Sequence, residues 1–466
     1  MRPGSSSLWT MIATALLAAL AFVLVQPFAS RVIRFSLERE GAAERAALAS
    51  GDSPWHWRFA GRDDVVAGRV FGTGQLEPVD DGLQVRATDD RPNEVGFPLA
   101  RTVDLRRLDT LRLDMTASTA GEYTLSARQT LISPLLFADL GKQPRGRLPT
   151  AIRLDQLAWR DAAGRPTDLP PRLAMLRLGV RLPAQASLTL REAWLSSGSG
   201  PLETSGVPMP AGLSAEALLH WRDRRYASDP LATFGSQAPP GPHWTGWTWL
   251  PLPIYVVILV ISGRRAHRRG AAGATDALLA LAGPLWLIAG LGLGPALSPA
   301  GVAMFALGVA YAGALAWRRL IPAWHWSGSW RMAGWPLLAI PVTIALVAVA
   351  GHSLAWPPAG RAALYVGWAL FQQWLLLAVA GSLLDRTMPR PFAVLLTALA
   401  FALLHTPNGL LMQLCFVAEL GWAWWYMYHR SLLPVALAHA AAAVVLQAGL
   451  TGGILRSLEV SARYLM

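Results

Sequence analysis

Hydrophobic and polar positions repeat along this chain with two different periods, and the change of period divides it. The first run, Leu8 to Ala29 (LWTMIATALLAALAFVLVQPFA), is unbroken and apolar. It is about as long as a bilayer core requires. Its apolar stretch is long and its small-residue cleavage pattern is poor, so residues 1–29 are expected to form a retained transmembrane anchor and not a cleaved signal peptide.

From Ser30 to about Ser197 the period falls to two. LQVRAT from Leu83, LRLDMTAS from Leu111, YTLSARQ from Tyr123, MLRLGVRL from Met175 and SLTLREAWL from Ser187 each place apolar side chains on alternate positions, between polar or Gly/Pro-containing loops. Successive strands without intervening helices predict a β-sandwich over residues 30–197. The order of segments is similar to the jelly-roll modules of galactose-binding-like, carbohydrate-binding domains, which would make an envelope glycan a partner. Trp55, Trp57, Trp159 and Trp194 could stack on a sugar, but aromatic side chains of this size more often fill a core.

Residues 198–243 read as a linker, rich in Ser, Gly and Pro, that carries a short helix in SAEALLHWRDRRY. Beyond it, residues 244–466 alternate apolar spans with short connections. Trp244, Trp247 and Trp249 open this part as an interfacial aromatic belt. Eight spans are predicted between Trp249 and Leu450, giving about nine transmembrane helices with the anchor. The fold class expected is an α-helical polytopic membrane protein with an inserted extracytoplasmic β-sandwich.

Composition sharpens this picture. The 466 residues are 53% hydrophobic, too apolar for one soluble domain, and the net charge is +12. The densest basic cluster, GRRAHRRG from Gly263, directly follows an apolar span. WRRL from Trp317, DRTMPRP from Asp385 and HRS from His429 fall on the same side if the N-terminus is cytoplasmic. That distribution marks the cytoplasmic ends of membrane helices and sets nucleic acid aside as a partner. It also puts residues 30–243 outside the cytoplasm. Cys415 is the only cysteine, so no internal disulfide can form, and its apolar surroundings indicate packing.

Polar residues deep in the last spans are few: Gln372 and Gln373 in ALFQQWLLLAVAG, His405 in FALLH, Glu419 in CFVAELGWAWW and His439 in LAHAAAA. Ionisable groups in hydrocarbon need partners and mark candidate sites. Adjacent helical residues diverge by about 100°, so the two glutamines cannot both face one small pocket. Glu419, the carboxylate placed well inside these spans, can serve as a relocated base, lock helices together, or join His405 and His439 as a two-histidine, one-carboxylate zinc set.

FQQWLLL, FALLH and LLPVALAHAAAA, in that order and spacing, resemble the membrane core of the CPBP (Abi) family, intramembrane proteases related to the type II CAAX prenyl endopeptidases. The resemblance covers about residues 335–452. It implies hydrolysis of a membrane-anchored protein or peptide in a bacterial inner membrane, with His405, His439, Gln372 and Gln373 at the family's site positions and Glu419 added as the carboxylate that could compensate. The family pattern is a Glu-Glu pair with a following arginine, Phe-x-x-x-His, then His with Asn or Asp four residues later. Phe401, His405 and His439 match. Gln372 and Gln373 replace the glutamates, Leu377 the arginine and Ala443 the Asn. A glutamine cannot take a proton from water, so an inactive scaffold or chaperone, or a membrane-anchored glycan-binding envelope protein, is the alternative reading.

Overall fold

The computed structural model describes residues 8–50, 54–99, 101–198, 206–235, 249–294, 297–328 and 334–466. Trp244 and Trp247 of the expected aromatic belt lie outside them. The chain divides into two compact units. One comprises residues 1–35, 210–220 and 242–466, the other residues 36–209 and 221–241.

The second unit is β-rich. One sheet has the order Gln75–Val79, Gly82–Arg86, Ser187–Ser196, Thr110–Ala117, Gly146–Arg153, with His56–Arg58 also paired to Ser187–Ser196. The other runs Trp159–Arg160, Leu136–Gln143, Gly121–Arg128, Met175–Arg181, Asn93–Phe97. All pairings within them are antiparallel. Alternation sends Leu83, Val85, Leu111, Leu188 and Leu190 from the first sheet and Val95, Phe97, Leu125, Leu176 and Leu178 from the second into one shared core. Trp55, Trp57 and Trp159 are buried in that core, so none offers a face to a sugar, and half-buried Trp194 packs on His56.

On the outer face of the first sheet the Arg147 guanidinium donates to both carboxylate oxygens of Asp114, at 3.1 and 2.6 Å. The guanidinium holds the Asp114 carboxyl below the usual carboxylate range. A depressed folded value means that the stabilisation is complete above the unfolded pKa of about 4 and is lost as pH falls through the folded value. Asp114→Asn is therefore expected to cost about 1 kcal/mol or less at neutral pH, given the exposure of Arg147. Melting the variant beside the native chain at falling pH should show the gap close below about pH 4.

The first unit is helical, and this is a membrane protein. Among the described residues, four helices are long and apolar enough to cross a bilayer: Leu8–Ala49, Pro299–Trp317, Ala359–Thr387 and Leu433–Leu450. Ala274–Ala289, Gly334–Ala350 and Arg390–Leu403 are apolar but shorter. Pro251–Arg269 and Gly409–His429 complete the helical set around them. Of the nine spans expected, four described helices meet both criteria.

The N-terminal helix does not end near Ala29, as the apolar run predicts, but continues to Ala49. The β-rich part accordingly does not begin at Ser30. Residues 30–49 lack proline, hold a single glycine and are rich in Arg, Leu, Glu and Ala, all strong helix formers. Ile33 and Leu37, one turn apart, are buried.

Close approach holds the neighbouring helices Ala274–Ala289 and Pro299–Trp317 together. A Cβ on Gly283 would run into the Met304 carbonyl, and one on Gly308 would stand 2.9 Å from the Ala280 carbonyl. Small residues at such crossings let backbones touch. Gly283→Val should therefore destabilise the full-length chain by about 1–3 kcal/mol, read as a lower melting temperature in detergent. Asp276 ties a third helix to this pair. Its carboxylate accepts from Gly273 N (2.8 Å), Ser262 Oγ (2.7 Å) and Tyr311 OH (2.5 Å).

The arginine-bearing helix ends meet. Ala272 N donates to Leu320 O at 3.1 Å, and Arg386 donates to both Ala272 O and Leu320 O. Arg390 and Arg430 both pair with Asp385, at 3.0 and 2.5 Å. Away from that end, Glu216 accepts from Leu410 N at 2.7 Å on the first turn of Gly409–His429, and Gln26 of the N-terminal helix donates to Gln413 at 3.4 Å.

Candidate functional site

Four helices supply the polar side chains that the sequence singles out. Gln372 and Gln373 sit where Ala359–Thr387 changes pitch. The helix is α through Gln373, π-helical over Trp374–Gly381, and α again from Ser382. The wider π turn is rare, frequently accompanies function, and here begins one residue after the glutamine pair. Its backbone is braced by Ser382 Oγ donating to Leu377 O at 3.0 Å. The departure in pitch is not legible in WLLLAVAG, whose eight apolar residues suit any buried helix.

The two glutamines separate as their helical angle requires. Gln373 is fully buried, and its amide Nε2 lies 3.1 Å from Glu419 Oε2 and 3.4 Å from His439 Nδ1. One amide nitrogen carries two hydrogens and can serve both acceptors. The carboxylate of Glu419 and the imidazole of His439 are thus joined through one side chain. Glu419 Oε1 and Gln373 Oε1 are buried with no hydrogen-bond partner among the described residues, so each can still accept. Gln372 instead lines a cavity of about 1490 Å³ together with His405 and His439.

That cavity is mostly apolar. Met11, Ala18 and Phe22 of the N-terminal helix, Trp335, Trp368 and Leu414 are among its walls. It exceeds the roughly 300–1,000 Å³ of a typical small-molecule pocket. A chain segment or an acyl group fits better than a metabolite. Glu419 and Gln373 do not reach its surface.

His405 closes the Arg390–Leu403 helix. Its Nδ1 is 2.8 Å from the Phe401 carbonyl. A carbonyl only accepts, so Nδ1 bears the proton and Nε2 keeps its lone pair. His439 has the opposite arrangement. Its Nδ1 accepts from an amide, which places the proton on Nε2. The Phe401 ring stands edge-on to both imidazoles, with centroids at 4.8 and 5.2 Å. The cluster therefore offers one ring nitrogen as base and another as donor.

The zinc arrangement open to His405, His439 and Glu419 is not realised. Among the described residues no three His, Cys, Asp or Glu side chains are grouped to hold a metal ion. The Phe401 ring packs against both histidines, and Gln373 rather than a second carboxylate faces Glu419 and His439. As placed, His405, His439 and Glu419 do not converge on one point where a divalent cation would sit. Cys415 lines the cavity one helical turn before Glu419 and packs against the buried core of the helical unit.

Trp422 was not legible as part of the site. Its ring lies 5.6 Å from that of His439, and its indole N–H donates to Pro336 O at 3.2 Å. The available signal was its position one turn after Glu419, on the same helical face. The N-terminal helix as a cavity wall had no signal at all, because its contacts are long-range.

Residues 369–445 match the family model described as type II CAAX prenyl endopeptidase Rce1-like, so this segment is CAAX-protease-like. The match spans Gln372 through Ala443 and takes in every side chain of the cluster. No curated protein matches the chain. Solved structures that resemble part of it include a family 11 carbohydrate-binding module from Clostridium thermocellum in complex with a β-1,3-1,4-mixed-linked tetrasaccharide, at 10% identity over 28% of this chain and 84% of that one, with a TM-score of 0.22. The family 11 module of the cellulosomal cellulase Lic26A-Cel5E of Clostridium thermocellum gives 10% identity, 28% and 83% coverage and a TM-score of 0.22. The agarase AgWH50C gives 8%, 30% and 25%, and 0.19. Overlaps this small carry no functional weight.

Proposed function

We propose that the Rce1-like segment hydrolyses a peptide bond in a membrane-anchored polypeptide, with His405 as the general base. The observation that carries this reading is the anchoring of His405 Nδ1 on the Phe401 carbonyl beside the cavity, which leaves Nε2 free to take a proton. Water attacks the scissile carbonyl carbon and gives its proton to His405 Nε2. The developing oxyanion accepts from His439 Nε2–H and from the Gln372 amide, both of which line the cavity. His405 then returns the proton to the leaving amine, which closes the cycle. Glu419 acts one step back, and through Gln373 it holds His439 in the donor orientation. No step requires a metal.

This assignment gives the glutamines separate roles. Gln372 keeps the hydrogen-bonding reach of a glutamate toward the cavity without its basicity. Gln373 couples a carboxylate to a histidine. The chain would be a multi-pass protein of a bacterial inner membrane, with the β-rich unit outside the cytoplasm. The arginines gathered at one end of the helical unit support that orientation.

A catalytically silent scaffold is the second reading, favoured by glutamine at both positions of the family's glutamate pair. Heavy-oxygen water separates the two. Membranes carrying the native chain should release peptides labelled at their new carboxyl termini, and membranes carrying His405→Ala at matched abundance should not. Equal labelling in both would leave the scaffold standing.

A further inference from the structure

We propose a headgroup site for an anionic phospholipid where the ends of Pro251–Arg269 and Pro299–Trp317 meet, distinct from the cavity and independent of its chemistry. Arg264, Arg265, Arg268, Arg269, Arg318 and Arg319 are all exposed there. The hydrogen bond from Ala272 N to Leu320 O and the clasp of Arg386 on both carbonyls bring the two arginine runs to one place. The carboxylates nearby are already taken. Asp276 is buried among Ser262, Gly273 and Tyr311, and Asp385 is held by Arg390 and Arg430. None of the six arginines has a carboxylate partner among the described residues.

A helix C-terminus accounts for a cation or two in its last turn. It does not account for a second basic run held alongside the first. The surface next to the arginines is equally specific. Ile254, Ile258, Ile261, Arg265 and Arg268 recur at helical spacing, so one exposed stripe passes from apolar to basic along its length. That order matches a lipid, with acyl chains below and phosphate above. Trp317, 89% exposed at the end of the second helix, offers the amphipathic ring that favours the headgroup level. Guanidinium groups pair with phosphate oxygens bidentately, and several on two helices favour a headgroup bearing more than one phosphate.

The test uses the full-length chain in nanodiscs of phosphatidylcholine with and without cardiolipin, with bound lipid read by native mass spectrometry. Cardiolipin should be retained over phosphatidylcholine through mild delipidation, and inorganic phosphate in excess should not displace it. Each arginine near an anionic headgroup is worth about fivefold in retention. The variant Arg264→Gln/Arg265→Gln/Arg318→Gln/Arg319→Gln should therefore lose it by well over tenfold, while Arg62→Gln/Arg160→Gln, which removes exposed charge from the β-rich unit, should retain it. No preference for cardiolipin in the native chain would overturn the site, even if the fourfold variant fails to fold. Equal loss in both variants, or displacement by free phosphate, would reduce it to a general charge effect and overturn it as well.

Discussion

Gln373→Leu is expected to destabilise the helical unit by about 2–4 kcal/mol, whereas Gln372→Leu, one residue away, should cost about 1 kcal/mol or less. The contrast follows from what each amide touches. Gln373 Nε2 is the donor to Glu419 Oε2 and also approaches His439 Nδ1. Glu419 is fully buried and its second oxygen already lacks a partner among the described residues. Leucine of similar volume would fill the space and leave a carboxyl and an imidazole unpaired in a low-dielectric interior, where an unmet polar group is most costly. Gln372 borders the cavity, so its loss strands no fully buried partner. Thermal unfolding of the two full-length variants in the same detergent reads the difference directly. Equal losses would mean that Gln373 is not the bridge.

The second large effect concerns rate. His405→Ala removes the proposed base and should lower cleavage by about 10²–10⁴-fold, the range for a positioned proton-transfer group. Glu419→Gln leaves a side chain that still accepts from Gln373 and should cost only about tenfold, the order of one hydrogen bond to a charged group. Both are measured as cleavage of one membrane substrate at equal protein level. The order of the two defects decides the assignment. A large loss in Glu419→Gln with a tolerant His405→Ala would make Glu419 the base and His405 a packing residue.

The sequence revealed these elements unevenly, for physical reasons. Strands at Thr110–Ala117, Met175–Arg181 and Ser187–Ser196 were legible because their apolar side chains, such as Leu111, Leu113 and Met115 or Leu176, Leu178 and Val180, recur at every second position and are buried. Asn93–Phe97 was not, because Asn93, Val95, Gly96 and Phe97 are all buried and alternation is lost. Leu136–Gln143 carries Asp139, Gly141 and Lys142 on a largely exposed strand and reads as loop. The N-terminal helix was cut short because hydropathy records where the apolar run ends, whereas helix propensity continues past it to Ala49. In the site, the polar residues themselves stood out against apolar spans. What connects them depends on helix rotation and on the π turn after Gln373, and neither leaves a mark in composition.

The most direct test of the account is N-terminal peptide profiling of membrane and envelope fractions, comparing cells with the native chain against cells carrying His405→Ala at matched abundance. The account predicts that a small set of cleaved termini, drawn from membrane-anchored proteins, disappears in the variant. Coincident profiles would contradict it, and the cavity would then be a binding chamber without hydrolytic chemistry.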